Sequence, residues 1–330
     1  MRLKFILLLI ILAVLFLVSF MLGKYPLAIT DVFNALTGHV FDGSKQEITD
    51  TVVFQIRLPR IIAAIMVGAC LAISGAVYQG FFRNPLVSPD ILGVSSGAGF
   101  GAAVGILVSG NGAFIQLSAF VCAFIAVAAA YGISKVVKGN ATLALVLSGM
   151  AIASLFAALI SLVKYVADPI DQLPNITYWL MGSFAAVRNN DLLFAAVPMV
   201  SGITILLLVR WRLNVLAMGD EEAKALGVST DKFRLLIVVC CTLITASAVC
   251  ISGIIGWVGL IIPHIGRSLV GPDHKKLLPV SGLLGAIYLL FIDNICRNML
   301  QIELPIGILT AIIGAPFFIF ILAREQRGWF

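Results

Sequence analysis

Charge is what this sequence has least of. Asp, Glu, Lys and Arg together make up 12% of its 330 residues, where a soluble domain carries roughly 25%. Hydrophobic residues make up 61%, which leaves too little polar surface to cover a globule in water. The chain is therefore expected to take lipid as its main solvent. Catalytic and nucleotide-binding signatures are missing as well. No G-x-x-x-x-G-K-[ST] occurs, and the one Gly-Lys pair, Gly23-Lys24, runs into Tyr25, which excludes nucleotide hydrolysis through a P-loop on this chain. H-E-x-x-H and Cys/His metal spacings are equally absent, and no catalytic residue, metal ligand or cofactor is assigned. The six cysteines (Cys70, Cys122, Cys240, Cys241, Cys250, Cys296) form no C-x-x-C pair, lie in apolar stretches, and read as small buried hydrophobes. A net charge of +6 does not point to nucleic acid, because the basic residues are spread through short loops rather than massed on one face.

What the sequence has in abundance is long apolar runs. A helix needs about 20 such residues to cross ~30 Å of hydrocarbon. The charge-free tracts Phe5–Leu22, Ile61–Phe82, Gly139–Val163, Leu192–Val209 and Leu304–Ala323 each supply one crossing. Ile91–Ser134 is twice the needed length, and Gly110-Asn111-Gly112 divides it into two helices. Leu277–Ile292 runs on past Asp293 to about Cys296. Leu235–Gly266 is too long for one helix and short for two, so it divides into a full helix to about Ser252 and a short one reaching Val270. The expectation is an all-α polytopic membrane protein with about ten transmembrane helices. Gln172–Val187 is apolar but short, begins beside Pro174, and reads as an interfacial or re-entrant helix. Arg2 and Lys4 ahead of Phe5–Leu22 mimic a signal peptide, but the run is long enough to span and no small-x-small site follows, so it is read as a retained first crossing.

Ten crossings put both termini on one side. With the N-terminus inside, cytoplasmic segments hold 15 of the 22 Lys and Arg residues, a bias that favours cytoplasmic N- and C-termini. Arg57, Arg60 and Arg297 run against that bias. Ile73-Ser74-Gly75 and Ile251-Ser252-Gly253, each followed by a Pro-Asp pair, hint at an internal duplication.

Three polar constellations stand out. His264, Asp273 and His274 are close in sequence and read as a helix end followed by a polar turn rather than a metal site. In the largest loop, Arg210–Arg234, the stretch Ala217–Gly227 has the marks of a short helix: Gly219 or Asp220 to cap it, Glu221 and Glu222 at its positive end, and Gly227 as a left-handed stop. Two turns are unstable alone in water, so this helix lies either on the lipid surface or against a partner, with Ala223 and Gly227 allowing close approach. Arg57-Leu58-Pro59-Arg60 opens the second crossing, and Arg297 follows Asp293 by one turn. Such arginines either snorkel to headgroups or engage carboxylates of an external partner.

These segments, taken in order, resemble a known family. Arg57-Leu58-Pro59-Arg60, Ser74-Gly75 with Gln79, Arg83-Asn84-Pro85-Leu86, Pro89, Leu92-Gly93, Gly97-Ala98, Gly256-Trp257-Val258-Gly259-Leu260-Ile261-Ile262-Pro263-His264, Arg267, Gly271-Pro272-Asp273-His274, Asp293, Arg297, Glu303-Leu304-Pro305-Ile306-Gly307 and Gly314-Ala315-Pro316-Phe317 are similar to the FecCD-type permease subunits of ABC importers for iron chelates, haem and cobalamin. Trp257 stands where Phe is commoner. The resemblance covers essentially the whole chain. It implies a single permease domain over residues 1–330 with a cobalamin-permease-like fold in the cell membrane. It also implies a second permease subunit, two ATPase subunits and an external substrate-binding protein as partners. Coupling to the ATPases falls on Ala217, Gly219, Glu222, Ala223, Leu226 and Gly227, and docking of the binding protein on Arg57, Arg60 and Arg297. The cytoplasmic gate falls on Asn84, Leu86, Ala141 and Thr142. The cargo expected on family abundance is a ferric siderophore, with haem and cobalamin close behind. An ion-coupled secondary transporter is the alternative from composition alone, and it would call for ionisable groups mid-membrane beyond Asp293. A membrane-embedded enzyme lacks any residue set to support it.

Overall fold

The computed structural model describes residues 2–28, 30–35, 47–137 and 140–325. Lys45, Lys138 and Arg327, counted in the charge bias above, lie outside the described residues. Among the described residues every regular element is helical. Besides short helical pieces at 30–35, Glu47–Asp50, Thr51–Arg57 and Pro89–Leu92, these are, in chain order, α1 (Arg2–Met21), α2 (Leu58–Phe81), α3 (Val94–Val108), α4 (Gly112–Val136), α5 (Ala141–Val166), α6 (Gln172–Met181), α7 (Asn189–Leu208), α8 (Arg210–Met218), α9 (Asp220–Ala225), α10 (Thr230–Ser252), α11 (Val258–Val270), α12 (His274–Asn298) and α13 (Ile306–Glu325). Seven of them are long and apolar enough to cross a bilayer, and three shorter apolar helices in α3, α11 and α13 complete the ten crossings expected. The break inside the long tract after Leu235 falls between Ser252 and Val258, where it was read.

The start of α2 departs from a simple helix opening. Residues Thr51–Arg57 form a π-helical lead, with the Leu58 amide donating to the Val53 carbonyl. Pro59 has no N–H to give to an α-helical ladder, and the wider turn ahead of it absorbs that loss. Beyond Pro59, α2 runs through the centre of the packing. Its membrane window is 78% buried, as is that of α10, whereas α1 is only 11% buried and lines the lipid-facing flank.

Lipid offers helices no hydrophobic reason to associate, so close packing of small residues has to do it. A Cβ on Gly75 of α2 would sit 1.8 Å from the Gly259 carbonyl oxygen of α11, and one on Gly68 would sit 2.2 Å from that of Gly285 in α12. The backbones of α2, α11 and α12 therefore touch. Gly314 of α13 makes room for the ring of Trp257, which also stacks edge-on against Phe318.

Three broken helices meet at the end of α6. The Ser183 amide donates to the Ser252 carbonyl at 2.7 Å, and the Ile306 amide to the Gly182 carbonyl at 2.9 Å. These bonds supply partners for groups exposed by the interruptions at Gly182, Gly253 and Pro305, which lipid would leave unpaired. The duplication hinted at in the sequence does not hold at this level. Ser74-Gly75 lies in the middle of a helix, whereas Ser252-Gly253 closes one.

Apart from the buried Thr245 Oγ1–Ser74 Oγ hydrogen bond (3.0 Å) between α10 and α2, most polar contacts between distant elements fall at two ends, where they join residues that the alternating crossings put at the same end. At one end Lys24 Nζ reaches the Gln301 carbonyl (2.6 Å) and Asn189 Nδ2 the Phe54 carbonyl (3.3 Å). At the other, Lys4 Nζ reaches the Leu269 carbonyl (2.8 Å), and Lys135 pairs with Asp231 (3.3 Å). The first is called the arginine end below, and the second the loop end.

Candidate functional site

At the arginine end the three arginines singled out in the sequence come together, but they turn inward. Arg57, Arg60 and Arg297 are all buried. This corrects the expectation of headgroup-snorkelling or outward-facing side chains. The physical reason is Asp293, which is 0% exposed and would be prohibitively costly alone in that position. Arg60 Nε and Nη2 lie 3.0 and 2.9 Å from Asp293 Oδ1, and Arg60 Nη1 lies 2.8 Å from Glu303 Oε2. Arg297 Nε stands 3.2 Å from the other Asp293 oxygen, the i, i+4 pair foreseen in the sequence. Arg297 also donates to Asn294 Oδ1, whose amide nitrogen donates to Ser19 Oγ at 2.7 Å. Arg57 donates to the carbonyls of Phe20 and Tyr25. One network thus ties the end of α1, the head of α2, the end of α12 and the segment before α13. Within it, three guanidiniums gather around two carboxylates.

The loop end holds the other motifs. Gln79, in the last turn of α2, sends Nε2 toward the carbonyls of Val87 (3.2 Å), Gly259 (3.4 Å) and Leu260 (3.2 Å), and accepts from Arg267 at Oε1. It fastens the Arg83–Leu92 connection to the head of α11. Asn84 and Leu86 are exposed on that connection, with Asn84 Oδ1 accepting from the Leu86 amide at 2.9 Å. Ala141 and Thr142 open α5 under an Asn140 cap, 2.9 Å to the Thr142 amide. Among the described residues no hydrogen bond joins Asn84 or Leu86 to Ala141 or Thr142. The two pieces meet deeper, where a Cβ on Gly149 of α5 would sit 2.3 Å from the Ile91 carbonyl oxygen.

Residues Ala217–Gly227 fold as read at both ends of the short helix. Gly219 precedes α9 with φ 146°, and its Cβ position is taken by Glu222 Oε2 at 2.0 Å. Gly227 adopts φ 77°, while Gly227 and Val228 donate to the carbonyls of Lys224 and Ala223, both at 2.9 Å, which closes the helix in a left-handed cap. The inner face is where the sequence reading needs correction. Ala223 is 0% exposed and packs into the protein's own core beside Val228, so it offers no approach to another chain. A two-turn helix needs an anchor, and these residues supply it. The side left free carries Glu221, Glu222, Lys224 and Leu226, the last 62% exposed.

Asn214, on α8, is a partner the sequence did not flag. Its Nδ2 donates to Asp273 Oδ1 at 2.7 Å, and its Oδ1 accepts from both the backbone amide and Nδ1 of His274, each at 2.8 Å. An amide oxygen only accepts, so the His274 proton sits on Nδ1. The His274 ring in turn lies against α2, 2.2 Å from where a Cβ on Gly80 would be. Asp273 also caps α12 through the Lys275 amide at 3.0 Å. Desolvation works against the Asp273 charge, but Asn214, the Lys275 amide and the charges of Lys276 and Lys275 outweigh it and hold the carboxyl below its ordinary pKa. The polar turn read for Asp273 and His274 is thus a joint between α8, α12 and α2.

Ten apolar helices with polar networks drawn to the two ends are the architecture of a polytopic permease. The FecCD transport family model matches residues 10–324, and this chain belongs to that family. It is 43% identical over 311 residues to the molybdate import system permease of Haemophilus influenzae, covering 94% of this chain and 92% of the relative. It is 39% identical over 288 residues to an iron chelatin transport system permease of Helicobacter pylori, covering 87% of each. A solved structure described as an inward-facing conformation of a metal-chelate type ABC transporter superposes with TM-score 0.88 at 41% identity, covering 98% of this chain and 100% of that one.

Proposed function

We propose that the chain is the membrane-spanning subunit of a binding-protein-dependent ABC importer that carries a metal complex into the cell. It acts as one permease domain over residues 1–330, with both termini cytoplasmic and a coupling loop at about residues 210–234. The observation that carries this reading is α9. A capped two-turn helix, anchored by Ala223 and presenting an exposed Leu226 beside Glu222, is a surface made for a partner. Because the sequence has no P-loop, the nucleotide has to be hydrolysed on that partner. Two ATPase subunits at the loop end, a second permease subunit beside this one and a binding protein at the arginine end complete the assembly. The permease itself catalyses no reaction and needs no cofactor. Asn84, Leu86, Ala141 and Thr142 form the cytoplasmic gate. The secondary-transporter alternative is weakened by Asp293, whose charge is committed to Arg60 and Arg297 instead of being free to couple an ion.

Docking by Arg57, Arg60 and Arg297 proceeds here by exchange. The cluster holds more guanidinium than carboxylate, and Glu303 is its one partly exposed acid, at 26%. A carboxylate of the binding protein joins the cluster in Glu303's place. For the cargo, the ferric siderophore reading is supported by the iron chelatin relative. Molybdate is the second reading, supported by the higher identity and coverage of the Haemophilus relative; haem and cobalamin follow.

The test is reconstitution of the chain with its ATPase and binding protein in vesicles, followed by uptake of radiolabelled ferric hydroxamate and molybdate. ATP-dependent uptake supports the importer. Uptake driven by an ion gradient without the ATPase overturns it, and uptake of molybdate alone reassigns the cargo.

A further inference from the structure

Two cavities share a wall at the arginine end. The larger, of about 790 Å³, lies between the Gly110–Gly112 turn, α6, the segment leading into α7 and the end of α10. The second, of about 450 Å³, continues from it between α4, α7 and α10, past Leu117, Phe120, Ala195 and Pro198. Ala113, Gln116, Asp191, Phe194, Cys250 and Ile251 border both, so they form one continuous cleft.

Its character changes along its length. The wide part is bordered by Arg188, Asp191, Asn190, Asn175 and Gln116. Helices α4 and α7 both begin there, which brings two positive dipole ends together, and α10 ends there with its carbonyls. Arg188 is exposed, and among the described residues no acid pairs with its guanidinium. Asp191 uses Oδ2 to cap the Arg188 amide at 2.9 Å. The narrow part is apolar apart from Gln116, Asp191 and Ser247. On its flank Phe194 is 80% exposed, and Leu117, Leu193 and Val197 are exposed too, so this side faces hydrocarbon and the narrow part opens to it.

We propose that this cleft is a phospholipid site for a glycerophospholipid with a zwitterionic, amine-bearing headgroup. The phosphate sits by Arg188 and the heads of α4 and α7, the ammonium by Asp191, and one acyl chain lies between α4, α7 and α10. A cation and an anion three residues apart match a zwitterion, whereas a purely anionic headgroup would meet Asp191 unfavourably. A soluble metal complex would gain nothing from the apolar arm. The cleft draws no residue from α5 or α13, nor from the arginine cluster, so it is separate from the proposed gate and docking residues.

The test is native mass spectrometry of the purified transporter after delipidation and incubation with phosphatidylethanolamine or phosphatidylglycerol. The expected result is one phosphatidylethanolamine retained per permease chain, with phosphatidylglycerol held about tenfold more weakly. Arg188→Gln, on an exposed residue whose loss leaves the fold intact, lowers retention about tenfold, and Ala195→Phe, which fills the arm, does the same. Asp191→Asn shifts preference toward phosphatidylglycerol. Equal retention of the two lipids overturns the proposal, as does unchanged retention in Arg188→Gln. Displacement of the lipid by ferric hydroxamate or molybdate also overturns it, making the cleft a cargo vestibule.

Discussion

Asp293 is fully buried, and Arg60 reaches it from another helix with two nitrogens, Nε at 3.0 Å and Nη2 at 2.9 Å from the same carboxylate oxygen. The contact joins residues 233 positions apart and holds the head of α2 to the end of α12. Removing one partner of such a pair strands a buried charge, at about 3–5 kcal/mol, whereas removing both leaves none from the pair.

Arg60→Met and Asp293→Leu should therefore each lower the melting temperature of the detergent-purified protein more than the double variant lowers it relative to either single. Additive losses would show that the two charges act independently. Arg60→Lys should fail to rescue, since an ammonium lacks the fork that serves Asp293 and Glu303 together. Arg297→Lys, which keeps a charge near Asp293, should leave the fold intact and weaken binding-protein affinity. Unchanged affinity there removes Arg297 from docking.

On α9 the two sides separate structural from coupling effects. Ala223→Arg drives a charge into the protein's own core and should reduce the yield of folded protein. Leu226→Glu should leave yield and melting unchanged but lower ATP-driven uptake several-fold and loosen co-purification with the ATPase. Gly227→Val should strain the φ 77° cap by about 1–2 kcal/mol. Normal uptake by Leu226→Glu would falsify the docking role of α9.

Asn214→Leu should break the joint between α8 and the head of α12 and uncouple ATP hydrolysis from uptake, with the ATPase still bound. Asn214→Asp should do so more severely near neutral pH, because two carboxylates then face each other across 2.7 Å. The pH dependence has a definite sign. Asp273 is held below its unfolded pKa of about 3.9, so its contribution is fully present above that pH and is lost as pH falls through the lower folded value. Wild-type uptake between pH 5 and 8 should show no step from Asp273, while Asn214→Asp should recover in part toward acid pH. A flat profile in the variant would count against the joint.

Sidedness is tested by single cysteines at Gln301 and Ser229 in a cysteine-free background. An impermeant thiol reagent applied outside should label Gln301→Cys and spare Ser229→Cys. The reverse pattern would invert the topology.

Much of this architecture is legible along the chain because a membrane helix is a contiguous apolar run, and runs need no tertiary information. The division at Ser252, the short α6 and the Gly227 cap are all local. The failures are non-local. Ala223 sits on a two-turn helix whose inner face no periodicity can reveal. The arginines looked outward because their count of charges against topology ignores Asp293, whose need for partners is visible only once α2 and α12 are packed. Asn214 and Asp273 are separated by 59 positions, and Gln79 and Arg267 by 188, with no pattern in the sequence that pairs them.

The 13 residues of α11 rise about 20 Å, well short of the ~30 Å hydrocarbon layer. During synthesis this segment has no means of spanning the bilayer by itself. The Gly259 backbone finds its close packing against Gly75 and a hydrogen-bond donor in Gln79, both on a helix made some 180 residues earlier. The chain's biogenesis is therefore ordered: α2 has to be in place and waiting before α11 enters, and α12 secures the arrangement by closing on Gly68. A chain truncated after Val270 and extended by a polar linker long enough to clear the ribosome should thus hold α11 in the membrane when Gly75 is intact and release it to protease when Gly75 is replaced by a bulky residue.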